Sequence, residues 1–257
     1  MVVDDPQRVN PGSSADAPGD DAALEEGLSG LSGLSSLSQL DDLLVRVAEL
    51  AVTAIPHAEG AGLTLLEPDR PDVVVKTAEF VRRIDDMQYS IGEGPCITAA
   101  ADGVTVRSGS LGGDRRWPRF GPRAGRMGVH SVLSLPLVTP SGVVGAMNVY
   151  ARAKDVFDQR AEELGELFAA PAAITVQNAQ ILAQVQRLAD RLQAALASRA
   201  VIDQAIGILR SRTGCGPQEA FERLRRISQA EHVKLVDVAG RIVDEAVRRA
   251  SRAHGDR

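Results

Sequence analysis

The chain has 257 residues, 44% hydrophobic and 25% charged, with a formal net charge of −5 and two cysteines. That length suits one large or two modest domains; two is our reading. No uninterrupted apolar run approaches the roughly 18 residues of a membrane span, no basic-then-apolar leader opens the chain, and Cys96 and Cys215 stand alone, which excludes a disulfide framework or a paired-cysteine metal site. The expected location is cytoplasmic, with no membrane partner. Charge is uneven: residues 190–257 carry 13 Lys plus Arg against 9 Asp plus Glu, a local +4, which leaves −9 on the remainder. An acidic body with a basic end points to a polyanionic partner for the C-terminal part.

Residues 1–37 are rich in Asp, Gly, Pro, Ser and Ala and run into the near-repeat Gly27-Leu-Ser-Gly-Leu-Ser-Gly-Leu-Ser-Ser36. Such a stretch offers little apolar surface against its ordering entropy, so a disordered N-terminal extension is expected. From Asp41 onward, Leu43, Leu44, Val47, Leu50, Ala51 and Ala54 form a helical stripe that stops before Pro56. Short strands are predicted at 61–66 and 73–76 around the turn at 67–71, then a helix over 79–88. The segment Ile91-Gly-Glu-Gly-Pro-Cys-Ile97 reads as a turn entering a helix, and 104–107 as a strand. Two apolar runs, 131–138 and 142–150, flank a turn at 139–142 and read as a hairpin.

A helix, an antiparallel sheet and a long closing helix make an α+β domain. Its landmarks are Gly92-Glu-Gly-Pro-Cys96, Trp117-Pro-Arg-Phe120, Gly128-Val-His-Ser-Val-Leu-Ser-Leu-Pro-Leu137 and Gly145-Ala-Met-Asn-Val-Tyr150. In that order they resemble the GAF sensory domains over about 37–183, so a domain at 38–183 is expected. The resemblance implies a pocket between the sheet and its covering loops, with Tyr89, Cys96, Trp117, Phe120 and His130 from the segments that would line it. Ordinary core packing is the competing role for each. The chain lacks the Asn-Lys-Phe-Asp-Glu signature of cyclic-nucleotide GAF domains, so cyclic AMP or GMP is not expected; an unknown small-molecule ligand, a redox signal and a partner protein all stay open as the signal, with no cofactor assigned.

Ile174, Asn178, Ile181, Val185, Leu188, Leu192, Ala195 and Ile202 recur at alternating four- and three-residue steps. A repeat averaging 3.5 residues winds helices around one another, which predicts a parallel homodimeric coiled coil. Before about Gln180 the same stripe suits packing on the sheet instead. Asn178 would fix register if it falls on the seam.

Beyond it come Ser198-Arg-Ala-Val-Ile-Asp-Gln-Ala-Ile-Gly-Ile-Leu209, Glu219-Ala-Phe-Glu-Arg-Leu-Arg-Arg226, Lys234-Leu-Val-Asp-Val-Ala239 and Arg241-Ile-Val-Asp-Glu-Ala246. They read as three short amphipathic helices with arginine between the apolar positions. The second should bury Ala220, Phe221, Leu224 and Ile227. The string resembles the ANTAR family of RNA-binding antitermination modules over about 192–249, within a linker-plus-module region of 184–252. That resemblance implies binding of paired hairpins in nascent RNA by Arg225, Ser228, Gln229 and Lys234, with Arg199 and Arg241 on the backbone. A solvated surface is the competing role for each arginine. Ile206 departs from the family pattern, which often has lysine there.

No nucleophile–base pair, paired carboxylates, metal spacing or phosphate loop stands out, and His57, His130, His232 and His254 are isolated, so neither enzyme chemistry nor a metal is expected. A reductase acting on free methionine sulfoxide would need more cysteines. The sequence therefore predicts a GAF-like sheet domain joined by a coiled-coil helix to a three-helix module: a signal-responsive RNA-binding antitermination regulator. A helix-turn-helix-like DNA-binding regulator and a protein-binding signalling adaptor with an upstream partner are the alternatives.

Overall fold

The computed structural model describes residues 18–36, 39–66 and 73–255. It divides into two compact units, Met1–Ala183 and Gln184–Arg257. The first holds a five-stranded antiparallel sheet in the order β2-β1-β5-β4-β3, built from β1 (Gly60–Leu65), β2 (Val73–Lys76), β3 (Val106–Ser108), β4 (Ser131–Thr139) and β5 (Gly142–Ala151). The β4–β5 hairpin runs in register from Ser131↔Ala151 to Leu137↔Gly145, with a bulge at Leu137/Val138 before the turn. The predicted turn at 67–71 lies outside the described residues.

Strict alternation along the strands separates the two faces. Ala61, Leu63, Leu65, Leu133, Leu135, Leu137, Met147 and Val149 point to one side and build a large apolar core with α2 (Leu40–Ala54) and the first part of α6 (Gln159–Thr213). The α2 stripe, Leu43, Leu44, Val47, Leu50, Ala51 and Ala54, is fully buried there. The other face carries α3 (Glu79–Ile91), α4 (Pro95–Asp102) and α5 (Gly121–Arg126), with Val81, Ile84, Trp117, Phe120, Val132 and Tyr150 packed together.

The expected disordered extension is corrected over residues 18–36. They form α1 (Pro18–Ser32) and a 3-10 turn (Gly33–Ser36), with Leu24, Leu31 and Leu34 buried against α2 and α6. Glycine costs roughly 1 kcal/mol in a helix interior, but here its missing side chain permits the contact. A Cβ on Gly27 would lie 2.8 Å from Ala54 Cβ, and one on Gly30 2.5 Å from Leu50 Cδ2. Arg160 of α6 pairs with Asp21. Residues 1–17 and 37 lie outside the described residues.

The helix α6 runs 55 residues without interruption, so the first of the three expected C-terminal helices is the end of this long one. Among the described residues it is the one helix long and apolar enough to cross a membrane. Its Leu164, Phe168, Ala172, Ala173 and Val176 are part of the core beneath the sheet, whereas its most apolar 18-residue stretch is exposed, with only 6% of it buried. Further along, Ile181, Leu182, Val185, Leu188, Leu192 and Leu196 are each more than half exposed.

The second unit closes a small core of its own. Ala205, Leu224, Val238 and Ala239 are buried, with Val201, Ile202, Ile206, Leu209, Leu235, Ile242 and Val243 packed around them. Its other helices are α7 (Pro217–Glu231) and α8 (Leu235–Gly255). Pro217 occupies the first turn of α7, where the missing N–H has no intrahelical partner to lose. The predicted burial on α7 holds for Ala220 and Leu224; Phe221 is half-buried and Ile227 is exposed, a correction that follows from the small size of this core.

Candidate functional site

Two places carry the candidate residues. In the first unit, a cleft of about 370 Å³ opens between α3, α4 and the β1–β5 part of the sheet, lined by Thr64, Leu66, Tyr89, Gly92, Cys96, Ile97, Ala100, Ala101 and Ala146. The turn between α3 and α4 shapes it: Gly92 takes the left-handed cap of α3 (φ 69°), and Gly94 has φ 157° before Pro95 opens α4. A Cβ on Gly94 would lie 2.1 Å from Gln88 Oε1, the atom that accepts the Cys96 N–H at 3.0 Å. The Tyr89 hydroxyl donates to Thr64 Oγ1 at 2.6 Å and lies 3.1 Å from Cys96 Sγ. Burial pushes the Cys96 thiol up to about 11 and the Tyr89 hydroxyl well above its ordinary value, so both stay protonated at neutral pH.

Sequence reasoning singled out Tyr89 and Cys96 but missed the polar cluster behind them. Asp85 projects from the buried face of α3 onto Gly62, where a Cβ would lie 2.1 Å from Asp85 Oδ2. Tyr150 donates to Asp85 Oδ1 at 2.7 Å and the Asn148 amide lies 3.5 Å from the same atom. Desolvation raises the Asp85 carboxyl to about 7, against the Tyr150 hydrogen bond and the Lys76 charge, which favour ionisation. Asp85 Oδ2, Gln88 Nε2, Asn148 Oδ1 and Ser134 Oγ are buried without a hydrogen-bond partner. The signal for these residues is periodicity: Asp85 and Gln88 share the apolar face of Val81 and Ile84, and Asn148 and Tyr150 alternate within an apolar strand.

The other pocket candidates fall elsewhere. Trp117 and Phe120 fill the core beneath α4 and α5. Their loop is fastened to the α3–α4 turn: Glu93 Oε1 accepts the Arg119 and Phe120 N–H groups at 2.8 and 3.0 Å, and the Trp117 indole N–H donates to Thr98 at 3.1 Å. Although desolvation opposes it, these backbone N–H groups and the Arg119 guanidinium hold the Glu93 carboxyl below the ordinary carboxylate range. The Gly-Glu-Gly-Pro and Trp-Pro-Arg-Phe motifs therefore meet. His130 sits just before β4, its backbone joined to Leu111 and Ala151, and it does not line the cleft. His57 and His232 occupy left-handed turn positions (φ 64° and 55°), and no cluster of three metal-ligating side chains occurs among the described residues.

In the second unit the junction of α7 and α8 brings most of the remaining candidates together. His232 caps α7 in the left-handed region, Ser228 Oγ donates to the Val233 carbonyl at 2.7 Å, and the Val233 N–H returns to Ser228 O at 3.2 Å. Ser228 thus fixes the turn. Lys234 sits at the start of α8, where its carbonyl accepts the Asp237 and Val238 N–H groups, and its side chain is exposed with Arg225, Arg226 and Gln229. Arg241 pairs with Glu231 across the junction, and Arg225 lies 3.5 Å from Glu222. Exposed pairs of this kind contribute roughly 0–1 kcal/mol, so an anion exchanges for the carboxylate at little cost. Arg199 lies on α6, 3.9 Å from Asp203 and strongly exposed. Ile206, where the family pattern has lysine, packs against the small core.

The chain matches the model of the GAF domain over residues 38–177 and that of the ANTAR domain over residues 190–243. No curated protein matches it. Among solved structures, it is similar to the GAF domain from Acinetobacter phosphoenolpyruvate-protein phosphotransferase, at 13% identity over 64% of this chain and 97% of that one, with a TM-score of 0.47. Free methionine-R-sulfoxide reductase from Neisseria meningitidis, in complex with its substrate, is 15% identical over 67% and 97%, with a TM-score of 0.46. A putative GAF sensor protein from Burkholderia vietnamiensis is 16% identical over 64% and 98%, with a TM-score of 0.45. The pairing of these two domains is that of a regulatory protein. The chain belongs to the GAF domain family, and its C-terminal unit is an ANTAR domain.

Proposed function

We propose that this chain is a signal-responsive regulator whose ANTAR unit binds paired hairpins in nascent RNA and thereby keeps a terminator from forming, under the control of its GAF unit. The ANTAR match supports the RNA partner. The observation that carries the reading is the α7–α8 junction, where exposed Arg225, Gln229 and Lys234 surround a turn fixed by Ser228. Phosphate contacts from such cations supply most of the affinity for RNA, while unpaired loop bases supply the selection. Ser228 is a positioning residue in this reading, because its hydroxyl is already engaged with the backbone.

The protein acts as a homodimer in the cytoplasm. Ile181, Val185, Leu188 and Leu192, exposed along α6, form the seam, since an apolar stripe of this length left in water is unfavourable by roughly 25 cal/mol per Å². A signal in the first unit acts only through unequal affinity for two states of the dimer; a tenfold change in RNA binding corresponds to about 1.4 kcal/mol of coupling.

The test compares binding of the intact chain to an RNA carrying two adjacent short hairpins, to either hairpin alone, and to double-stranded DNA of equal length. Preference for the paired hairpins is expected. Equal or tighter binding to the duplex DNA would replace this reading with a DNA-binding regulator, and capture of neither nucleic acid would leave a protein-binding adaptor.

A further inference from the structure

The cleft beside Tyr89 has a composition that restricts what it can hold. At about 370 Å³ it equals roughly a dozen waters at ~30 Å³ each, within the range of small-molecule sites. None of the described residues lining it is charged, and its walls are mainly apolar. A carboxylate or phosphate placed there would meet no cation among the described lining residues, and burying it unpaired is costly.

Polar groups are confined to one end. Tyr89 donates to Thr64, which leaves the Thr64 hydroxyl proton and the Tyr89 oxygen for further bonds. Cys96 Sγ lies 3.1 Å from the Tyr89 hydroxyl and its N–H donates to Gln88 Oε1, and in the cluster behind it Asp85, Gln88 and Asn148 each keep one buried polar atom without a partner. Buried polar atoms are seldom left so. The three cleft-side groups come from three elements, β1, α3 and α4, so anything bridging them changes how α3 and α4 rest on the sheet. Gly92 and Gly94 form the turn between those helices, at φ 69° and 157°.

We infer that this cleft takes an uncharged small molecule with an apolar, ring-sized body of roughly ten to fifteen non-hydrogen atoms and a single hydrogen-bonding head, the head meeting Thr64 and Tyr89. The inference rests on the reading of the first unit as a sensor and names the class of its signal. On the described lining, nucleotides and other phosphorylated messengers are poor fits for this cleft.

The experiment titrates the intact chain with indole, phenol and benzyl alcohol, and with indole-3-acetate as the charged counterpart of indole, by ligand-observed NMR. At least one neutral probe binds saturably, and indole-3-acetate is at least tenfold weaker than indole. Ala100→Phe, which places a ring in the cleft from the surface of α4, removes probe binding; Thr64→Val keeps the shape but weakens binding about fivefold or more. Trp117 fluorescence through a urea titration establishes that both variants fold. Binding by none of the neutral probes, equal binding of indole-3-acetate, or full probe affinity in both variants overturns the inference. Hairpin RNA binding is measured on the same samples: if it persists while the probes fail, only the cleft assignment is lost, and if it is absent while they bind, only the RNA reading is.

Discussion

Replacing Asp85 with asparagine removes a carboxyl that ionises near 7 in the folded chain and near 3.8 when it is free in water. The folded protein holds this proton where the unfolded chain gives it up, so the contribution to stability is fully present below about pH 4. It falls as pH rises towards 7 and is flat above. At about 1.4 kcal/mol for each pH unit between the two values, the loss is on the order of 4 kcal/mol, an upper figure because relaxation and water entry soften it. Asparagine keeps an acceptor for the Tyr150 hydroxyl and puts an uncharged N–H₂ where Asp85 Oδ2 has no partner in the native protein. The variant is therefore expected to equal the native chain within about 1 kcal/mol at pH 4.5 and to exceed it by roughly 2–4 kcal/mol at pH 8. Urea unfolding followed by Trp117, the single tryptophan and part of the core on the same side of the sheet, reads the GAF unit alone. The Lys76–Asp86 ion pair and every other charged side chain are common to both proteins, so the difference between them isolates Asp85. A stability difference that stays constant from pH 4.5 to 8 would refute the argument.

Other expectations follow from single contacts. Arg225→Ala and Lys234→Ala should each weaken RNA binding and lower the slope of log K against log salt by roughly 0.7 per lost phosphate contact, with the far-ultraviolet circular dichroism unchanged; an unchanged slope removes the residue from the interface. Leu188→Asp together with Leu192→Asp should give a monomer by analytical ultracentrifugation, and a surviving dimer would move the association surface away from α6. Gly27→Val drives a side chain into Ala54 and Phe168, so α1 should detach or strain by roughly 1–3 kcal/mol, seen as faster proteolytic cleavage within residues 18–36. Gly62→Ala puts a methyl into the Asp85 carboxylate and should lower the unfolding midpoint while abolishing the pH dependence assigned to that group.

The sheet and α2 were legible because their signals are periodic: alternation through 131–138 and 142–150, and a clean helical stripe from Leu43 to Ala54, end at turn residues that admit few other readings. The α1 helix was not, since Gly27 and Gly30 lower helix propensity in isolation and reveal their value only beside Leu50, Ala54 and Phe168, partners distant in sequence. The site was half legible. Tyr89 and Cys96 came from motif position, but Asp85 and Asn148 sit within apolar patterns as polar interruptions, and a polar interruption marks a buried network only once its counterparts across the fold are known. On α7 the stripe overstated the core: Ile227 has the spacing of a buried residue, yet a four-residue centre leaves too little to cover it.

The close approach of Asp85 to Gly62, and of Gln88 to Gly94, leaves each pair of positions sharing one volume. Neither member can drift independently: a descendant that acquires a side chain at Gly62 or Gly94 must shorten or re-aim the residue above it in the same step. Lineages diverging from this chain should therefore show compensated double replacements at these two pairs, while exposed positions of α3 such as Arg82 and Arg83 face no such constraint.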